Sequence, residues 1–184
     1  MGSMNAIEKF FVNHRNKTYV PQLVLEMIDE VSIFITGRVL EIGAGLGYTS
    51  FAIWDKFHPE WVFVTDFDPA QIKGARKYAT ARYGDAPSQL EFRREDVLDL
   101  SFADSSIDVV VGTLCFHHIE KDRRDFIKTP LAFEQIRRVL KPGGIFIYYD
   151  LWNKSKVDEF FTAVGDGILL TQRQRGVYQK RADG

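Results

Sequence analysis

The stretch VLEIGAGLGYTS, Val39 to Ser50, decides how this chain is read. Val39, Leu40 and Ile42 make a short apolar run with the character of a buried strand, and Thr49, Ser50, Phe51, Ala52 and Ile53 open a helix. Three glycines, Gly43, Gly45 and Gly47, stand at the joint between them. Glycine adopts φ > 0 without a Cβ penalty and lets backbone come close to another group. A helix beginning just behind them presents unpaired N–H groups to a polar ligand. A tight strand-to-helix turn explains this spacing, and so does a nucleotide-type cofactor site.

Working outward, short strands alternate with helices. The strands are RVLEI (38–42), WVFVTD (61–66), LEFRRED (90–96), IDVVVGTL (107–114) and GIFIYYDL (144–151). Helices are expected over 49–57, 69–83 and 130–140, with Asp68 and Pro69 as N-cap and first residue of the second and Thr129 as N-cap of the third. Lys141-Pro142-Gly143-Gly144 predicts a turn into the fifth strand. Upstream, Ile7, Phe10 and Phe11 have helical spacing, and a helix from Pro21 carries Val24, Met27, Ile28 and Val31 as one apolar stripe. Near-continuous apolar strands separated by helices imply an α/β fold, a doubly wound, mostly parallel sheet with helices on both faces. The tail breaks the rhythm: a helix over 157–164 precedes ILLTQRQRGVYQK (168–180), an antiparallel hairpin turning near Arg175-Gly176.

Bulk properties narrow the function. The 184 residues suit one domain, and 45% hydrophobic with 27% charged residues is ordinary globular composition. A formal net charge of −1 gives no global attraction to nucleic acid or anionic membrane. No apolar run approaches the roughly 20 residues that span a bilayer. The single cysteine, Cys115, excludes an intrachain disulfide and reads as a small core residue. A cytoplasmic location is the expectation. Residues 1–3 read as an expression remnant, 4–37 as N-terminal helices on the lid side, and 38–184 as the core.

Asp66 lies 19 residues beyond Gly47, at the end of the second strand, where an acid in a doubly wound fold accepts from ribose hydroxyls. Asp96 falls at the same edge after the third strand and suits an exocyclic amine such as that of adenine. Gly43 to Gly47, Asp66, Asp96 and Thr113 thus share the carboxyl ends of the strands, where ligands bind in such sheets.

VLEIGAGLGYTS, VTDFDPAQI (64–72), REDVLDLSFADSSIDVVVGTLCFHHI (94–119) and IRRVLKPGGIFIYYDLW (136–152) resemble the successive motifs of class I S-adenosylmethionine-dependent methyltransferases. The resemblance implies a Rossmann-like seven-stranded sheet with an antiparallel final strand. It implies S-adenosyl-L-methionine as cofactor, with S-adenosyl-L-homocysteine as product. The loop of Gly43, Ala44, Gly45 and Gly47 would pass under the methionine part, and Glu41 would help hold the amino end. Asp66, followed by Phe67, would take the ribose, Asp96 and Val97 the adenine, and Thr113 would lie near the methionyl portion. A nicotinamide dinucleotide fits less well, because its GxGxxG fingerprint needs glycine where Tyr48 stands.

His117 and His118 follow the fourth strand and are the candidate catalytic residues, as a base for an acceptor that must lose a proton. Either could instead order the loop through backbone hydrogen bonds. TLCF (113–116) replaces the (Asp/Asn)-Pro-Pro-(Tyr/Phe) of amino-methylating nucleic-acid enzymes, and no metal constellation is present. A small-molecule acceptor is therefore expected. Action on tRNA or protein, or a role as a cofactor-binding module that activates a partner enzyme, are the alternatives. NHRNKTYVP (13–21) and EKDRRDFIK (120–128) are expected to roof the pocket. Tyr19 is positioned to cover the cofactor, and Tyr149 or Trp152 to pack on an apolar or aromatic acceptor; these aromatics read equally well as core residues. Arg123 and Arg124 suit an acidic acceptor or simply a solvated face. With no cap inserted before the terminal hairpin, the acceptor is expected either to sit in a shallow cleft, to have its site completed by a second subunit in a homodimer, or to belong to a larger partner.

Overall fold

The structure, a computed structural model, describes residues 15–120, 122, 125–151 and 154–182. Its strands are β1 (Arg38–Ile42), β2 (Trp61–Asp66), β3 (Leu90–Arg94), β4 (Ile107–Thr113), β5 (Leu140–Tyr149), β6 (Gly167–Gln172) and β7 (Arg175–Gln179). The α-helices are α1 (Val20–Glu30), α2 (Tyr48–Phe57), α3 (Pro69–Tyr83), α4 (Lys128–Val139) and α5 (Lys154–Ala163), with a π-helical turn, Arg15–Tyr19, leading into α1.

The seven strands form one sheet in the order β3-β2-β1-β4-β5-β7-β6. Strands β1 to β5 pair in parallel, and β7 runs antiparallel to both β5 and β6. The chain enters at β1, winds to the β3 edge, then returns to β4 on the other side of β1. Strand order therefore reverses between β1 and β4, which is where a doubly wound sheet opens a binding crevice.

Side-chain alternation along the strands builds two cores. Val39, Val62, Val64, Val109, Val111, Ile145 and Ile147 point to the face covered by α1, α2 and α3, whose Val24, Met27, Phe51 and Ala75 join them. Leu40, Phe63, Val110, Phe146 and Tyr148 point to the opposite face, under Phe133 and Ile136 of α4 and Val157 and Phe161 of α5. Each such fully buried side chain contributes about 1.5–3 kcal/mol relative to exposure. The α1 stripe expected from Val24, Met27 and Ile28 is buried in the first core, while the stretch containing Ile7, Phe10 and Phe11 lies outside the described residues.

Four local expectations are corrected. Lys141 to Gly144 do not end one element and start another: β5 runs through them as a large bulge, pairing Leu140 with Ile107 and then Ile145 with Val109. Gly143, at φ +76°, supplies the left-handed residue this excursion needs. The third strand stops at Arg94, because Asp96 turns the chain by accepting from the Leu98 N–H at 2.9 Å. The terminal hairpin turns at Arg173-Gln174, between β6 and β7, and not at Arg175-Gly176. Thr129 is not the cap of its helix. It lies inside α4, fully buried, and Glu120 caps the helix from nine residues upstream.

Candidate active site

A cleft of about 860 Å³ opens at the carboxyl ends of β1 to β4. The three glycines of its floor serve different ends. At Gly43 (φ +62°) an added Cβ would lie 2.4 Å from the Cys115 Cβ, so close packing of two loops excludes it. At Gly47 (φ +78°), which caps α2, a Cβ would press on Phe51 at 2.9 Å and on Val64 at 3.1 Å. At Gly45 (φ +55°) the first atom met is Gln71 Oε1, 3.9 Å away, so a Cβ there would project into open cleft. Packing thus explains two of the glycines, and the third keeps the cleft clear.

Acidic groups gather on the β1–β3 side. Glu41 is 1% exposed yet lines the cleft, and its Oε2 accepts from the Ser50 N–H at 2.9 Å and from the Ser50 hydroxyl. Burial pushes its carboxyl up to about 7; bonds from Ser50 and Thr49 act against the rise, and the Asp66 charge adds to it. Asp66 at the end of β2 accepts from the Gly45 N–H and the Asp68 N–H, both at 2.9 Å. It thereby ties the glycine loop to β2, and a carboxylate with about four acceptor positions keeps capacity for further donors. Asp68 caps α3 by accepting from the Ala70 N–H at 2.8 Å. Phe67, Asp96 and Val97 complete this wall, with the Arg94 guanidinium 4.9 Å from the centre of the exposed Phe67 ring.

Across the cleft lie Thr113, Leu114, Cys115, His118, Ile119 and Lys128. Leu114 holds φ +53° while its N–H donates to the Tyr149 carbonyl at 2.7 Å. A non-glycine residue in that conformation stores about 1–3 kcal/mol; Ser32, His58 and Ser105 hold it too, but Leu114 is the one of the four that lines the cleft. Cys115 is no nucleophile: burial pushes its thiol well above the ordinary value, and the charges of Asp150, Glu41 and Asp66 add to the rise.

The two histidines differ. His118 is exposed and lines the cleft. The His117 side chain is 16% exposed, and its Nδ1 lies 2.8 Å from Oδ1 of the fully buried Asp150. The two imidazole rings sit 3.9 Å apart, centre to centre. Sequence reasoning passed over Asp150, whose signal was an acid closing the buried run GIFIYY. It also passed over Leu114, and it had Lys128 only as the last residue of the 120–128 segment expected to roof the pocket.

Glu41, Gly43, Ala44, Gly45, Asp66, Phe67, Asp96, Val97 and Thr113 are therefore brought to one cleft, with Gly47 buttressing it from behind. The expected acceptor walls are placed otherwise. Val20 rather than Tyr19 lines the cleft, and Tyr19 is exposed. Tyr149 is 6% exposed and shares the α1–α3 core with Ile145 and Ile147, because alternation along β5 turns it there. Trp152, Arg123 and Arg124 lie outside the described residues. Among the described residues, no group of three or more His, Cys, Asp or Glu is arranged to hold a metal ion. None of the described helices is long and apolar enough to cross a membrane.

Residues 39–144 match the model of a methyltransferase domain family. A probable phthiotriol/phenolphthiotriol dimycocerosates methyltransferase of Mycobacterium ulcerans is 31% identical over 127 residues, 69% of this chain and 44% of that protein. A fatty-acid O-methyltransferase of Mycolicibacterium smegmatis is 31% identical over 140 residues, 76% of this chain and 46% of that protein. The chain thus spans under half the length of these curated relatives. Among solved structures, a putative S-adenosyl-L-methionine-dependent methyltransferase from Methanococcus maripaludis superposes with a TM-score of 0.72 at 16% identity, covering 100% of this chain and 98% of that one.

Proposed function

Because the chain belongs to the class I S-adenosylmethionine-dependent methyltransferases, we propose that it binds S-adenosylmethionine in the cleft at the carboxyl ends of β1 to β4 and methylates a small, apolar acceptor. The observation that carries this reading is the open space over Gly45, flanked by two carboxylates, Glu41 and Asp66, that have no cationic partner among the described residues. Such a cradle suits a ligand with a positive amino group at one end and hydroxyl donors further along.

When bound, the cofactor supplies an electrophilic methyl group on a sulfonium sulfur. The chain's own residues bind, align and exclude water. Glu41 would hold the amino end, above the Gly43–Gly45 backbone. Asp66 would accept from the ribose hydroxyls in charge-assisted bonds, while Asp96 and Val97 would hold the base. Leu114, Cys115 and Ile119 make a largely apolar wall on the acceptor side, so a nucleophile held there is aligned in a dry space. For an acceptor that must lose a proton, His118 is at the cleft and the His117 ring lies beside it, tilted by 43° and oriented by Asp150. The apolar wall and the fatty-acid and dimycocerosate substrates for which the two relatives are named both favour a lipid-like acceptor.

Titration calorimetry tests the cofactor assignment. S-adenosylmethionine and S-adenosylhomocysteine should both bind, with NAD and NADP silent. Asp66→Ala should weaken the binding by about 1–3 kcal/mol through loss of a charged acceptor. Nicotinamide binding, or an unchanged affinity in a folded Asp66→Ala protein, would remove the basis of the assignment.

A further inference from the structure

The cleft is divided by charge. Its five lining acids, Glu41, Asp66, Asp68, Glu95 and Asp96, all come from β1 to β3 and the turns after them. Among the described residues, the lining from Thr113 onward includes no acid, and its fixed cation is Lys128. Of the described acids near this half in the chain, Glu120 and Asp150 are buried and committed to backbone N–H groups and, for Asp150, to His117, while Asp122 and Asp125, half-buried in the segment before α4, do not line the cleft. The Lys128 ammonium makes no hydrogen bond or ion pair among the described residues, whereas Lys56, Lys141 and Lys154 are each paired.

Apolar side chains neighbour that cation in the chain. Ile119 lines the same cleft, and Ile127, the residue before α4, and Leu131 in its first turn are 70% and 49% exposed. Large aliphatic side chains left in water near an unpaired ammonium in the chain match a ligand with an anionic head and an apolar body. The α4 N-terminus does not itself supply the anion site, because Glu120 already occupies the N–H groups of Ile127, Lys128 and Thr129.

We infer that Lys128 binds an anionic group on the acceptor, whose apolar body packs along Ile119, Ile127 and Leu131. This rests on the methyltransferase reading above and adds to it the chemical class of the acceptor. The five acids keep that anion out of the other half of the cleft by repulsion, so one end of the cleft selects a cationic ligand and the other an anionic one.

The test is calorimetry with dodecanoate and dodecan-1-ol, below micellar concentration, on the protein with and without saturating S-adenosylhomocysteine. Dodecanoate should bind the wild-type protein more tightly than dodecan-1-ol. Lys128→Ala should weaken dodecanoate roughly tenfold, about 1.4 kcal/mol, while Lys128→Arg retains it and dodecan-1-ol changes little in either variant. The preference should shrink in high salt. Equal loss of both probes, or no loss in Lys128→Ala, overturns the inference. Weakened S-adenosylhomocysteine in Lys128→Ala also overturns it, by assigning the lysine to the cofactor's own carboxylate. Failure of S-adenosylhomocysteine to bind the wild-type protein strikes instead at the methyltransferase reading, and the probes measured without it still decide the role of Lys128.

Discussion

Nδ1 of His117 lies 2.8 Å from Oδ1 of Asp150, a carboxylate with no exposed surface. The same carboxylate accepts from the backbone N–H groups of Phe116, His117 and Leu151, so it fixes both the turn after β4 and the imidazole on it. In the neutral ring the proton then sits on Nδ1, and Nε2 is left as the acceptor. Alanine at whichever histidine serves as base should lower turnover roughly 10²–10⁴-fold, with cofactor affinity intact. Asp150→Asn should lower turnover in the same way, because an amide N–H can stand where the carboxylate accepted. Asp150→Ala should also cost about 1–3 kcal/mol of stability by orphaning buried N–H groups. Single-turnover rates beside calorimetry check this, and full turnover in both histidine variants would leave alignment alone to carry the reaction.

Gly43 and Gly45 should respond differently to alanine. Both hold left-handed backbone, so each substitution costs about 1–2 kcal/mol. Gly43→Ala adds a collision with Cys115 and should be the less stable protein. Gly45→Ala meets nothing nearer than 3.9 Å and should fold, yet its methyl group occupies the cleft and should weaken the cofactor tenfold or more. Denaturant midpoints and binding isotherms on the two variants separate the effects. A Gly45→Ala protein with native affinity would show that the open space is not where the cofactor lies.

Glu41 links stability to pH. Its carboxyl stands at about 7 in the folded protein, raised from 4.5 by burial. Below 4.5 it is protonated in folded and unfolded chains alike and carries no penalty. As pH rises from there to about 7 the unfolded chain releases the proton first, so stability is progressively lost. The full loss is on the order of 3 kcal/mol. Glu41→Gln keeps the Ser50 bonds and removes the titration. Its unfolding free energy should therefore fall less than that of the wild-type protein between pH 5 and pH 8, and parallel curves would refute the assignment.

The parts of this fold written in local pattern were legible in the sequence. Apolar runs such as VVV at 109–111 and the glycine joint at 43–47 gave the strands, their order of appearance and the floor of the cleft. What escaped depends on residues far apart in the chain. Asp150 reaches His117 across 33 positions, and nothing near either residue announces the partner. Tyr149 read equally as an acceptor wall and as a core residue, and alternation along β5 sends it into the core. Lys141 to Gly144 carry turn chemistry, and the structure uses it as a bulge because β4 and β5 resume pairing beyond it. The Thr129 signal was misread for a similar reason, since a competing carboxylate lay upstream.

That carboxylate, Glu120, yields the last prediction. Its Oε1 accepts from the N–H groups of Ile127, Lys128 and Thr129 at 2.7–2.9 Å and from the Thr129 hydroxyl at 3.0 Å. One side chain thereby closes the segment 120–129 and satisfies the orphan donors of α4. Burial acts to raise this carboxyl, but the N–H and hydroxyl donors outweigh it and hold it below its ordinary value. The stabilisation is present above the unfolded carboxylate range and is lost as pH falls through the lowered folded value. Glu120→Ala should cost about 1–3 kcal/mol, since three donors lose a charged acceptor at once. Thr129→Ala, which removes one hydroxyl bond, should cost about 1 kcal/mol. The difference between wild type and Glu120→Ala should narrow in acid, as should that for Glu41→Gln, but with opposite sign: the wild-type side chain stabilises at position 120 and destabilises at position 41 as pH rises. Because Lys128 sits in the capped turn, Glu120→Ala should also loosen any ligand held by that lysine. Urea unfolding at neutral and acid pH measures the first effect, and dodecanoate titration the second. A Glu120→Ala protein as stable as wild type at neutral pH would mean that water caps α4 equally well.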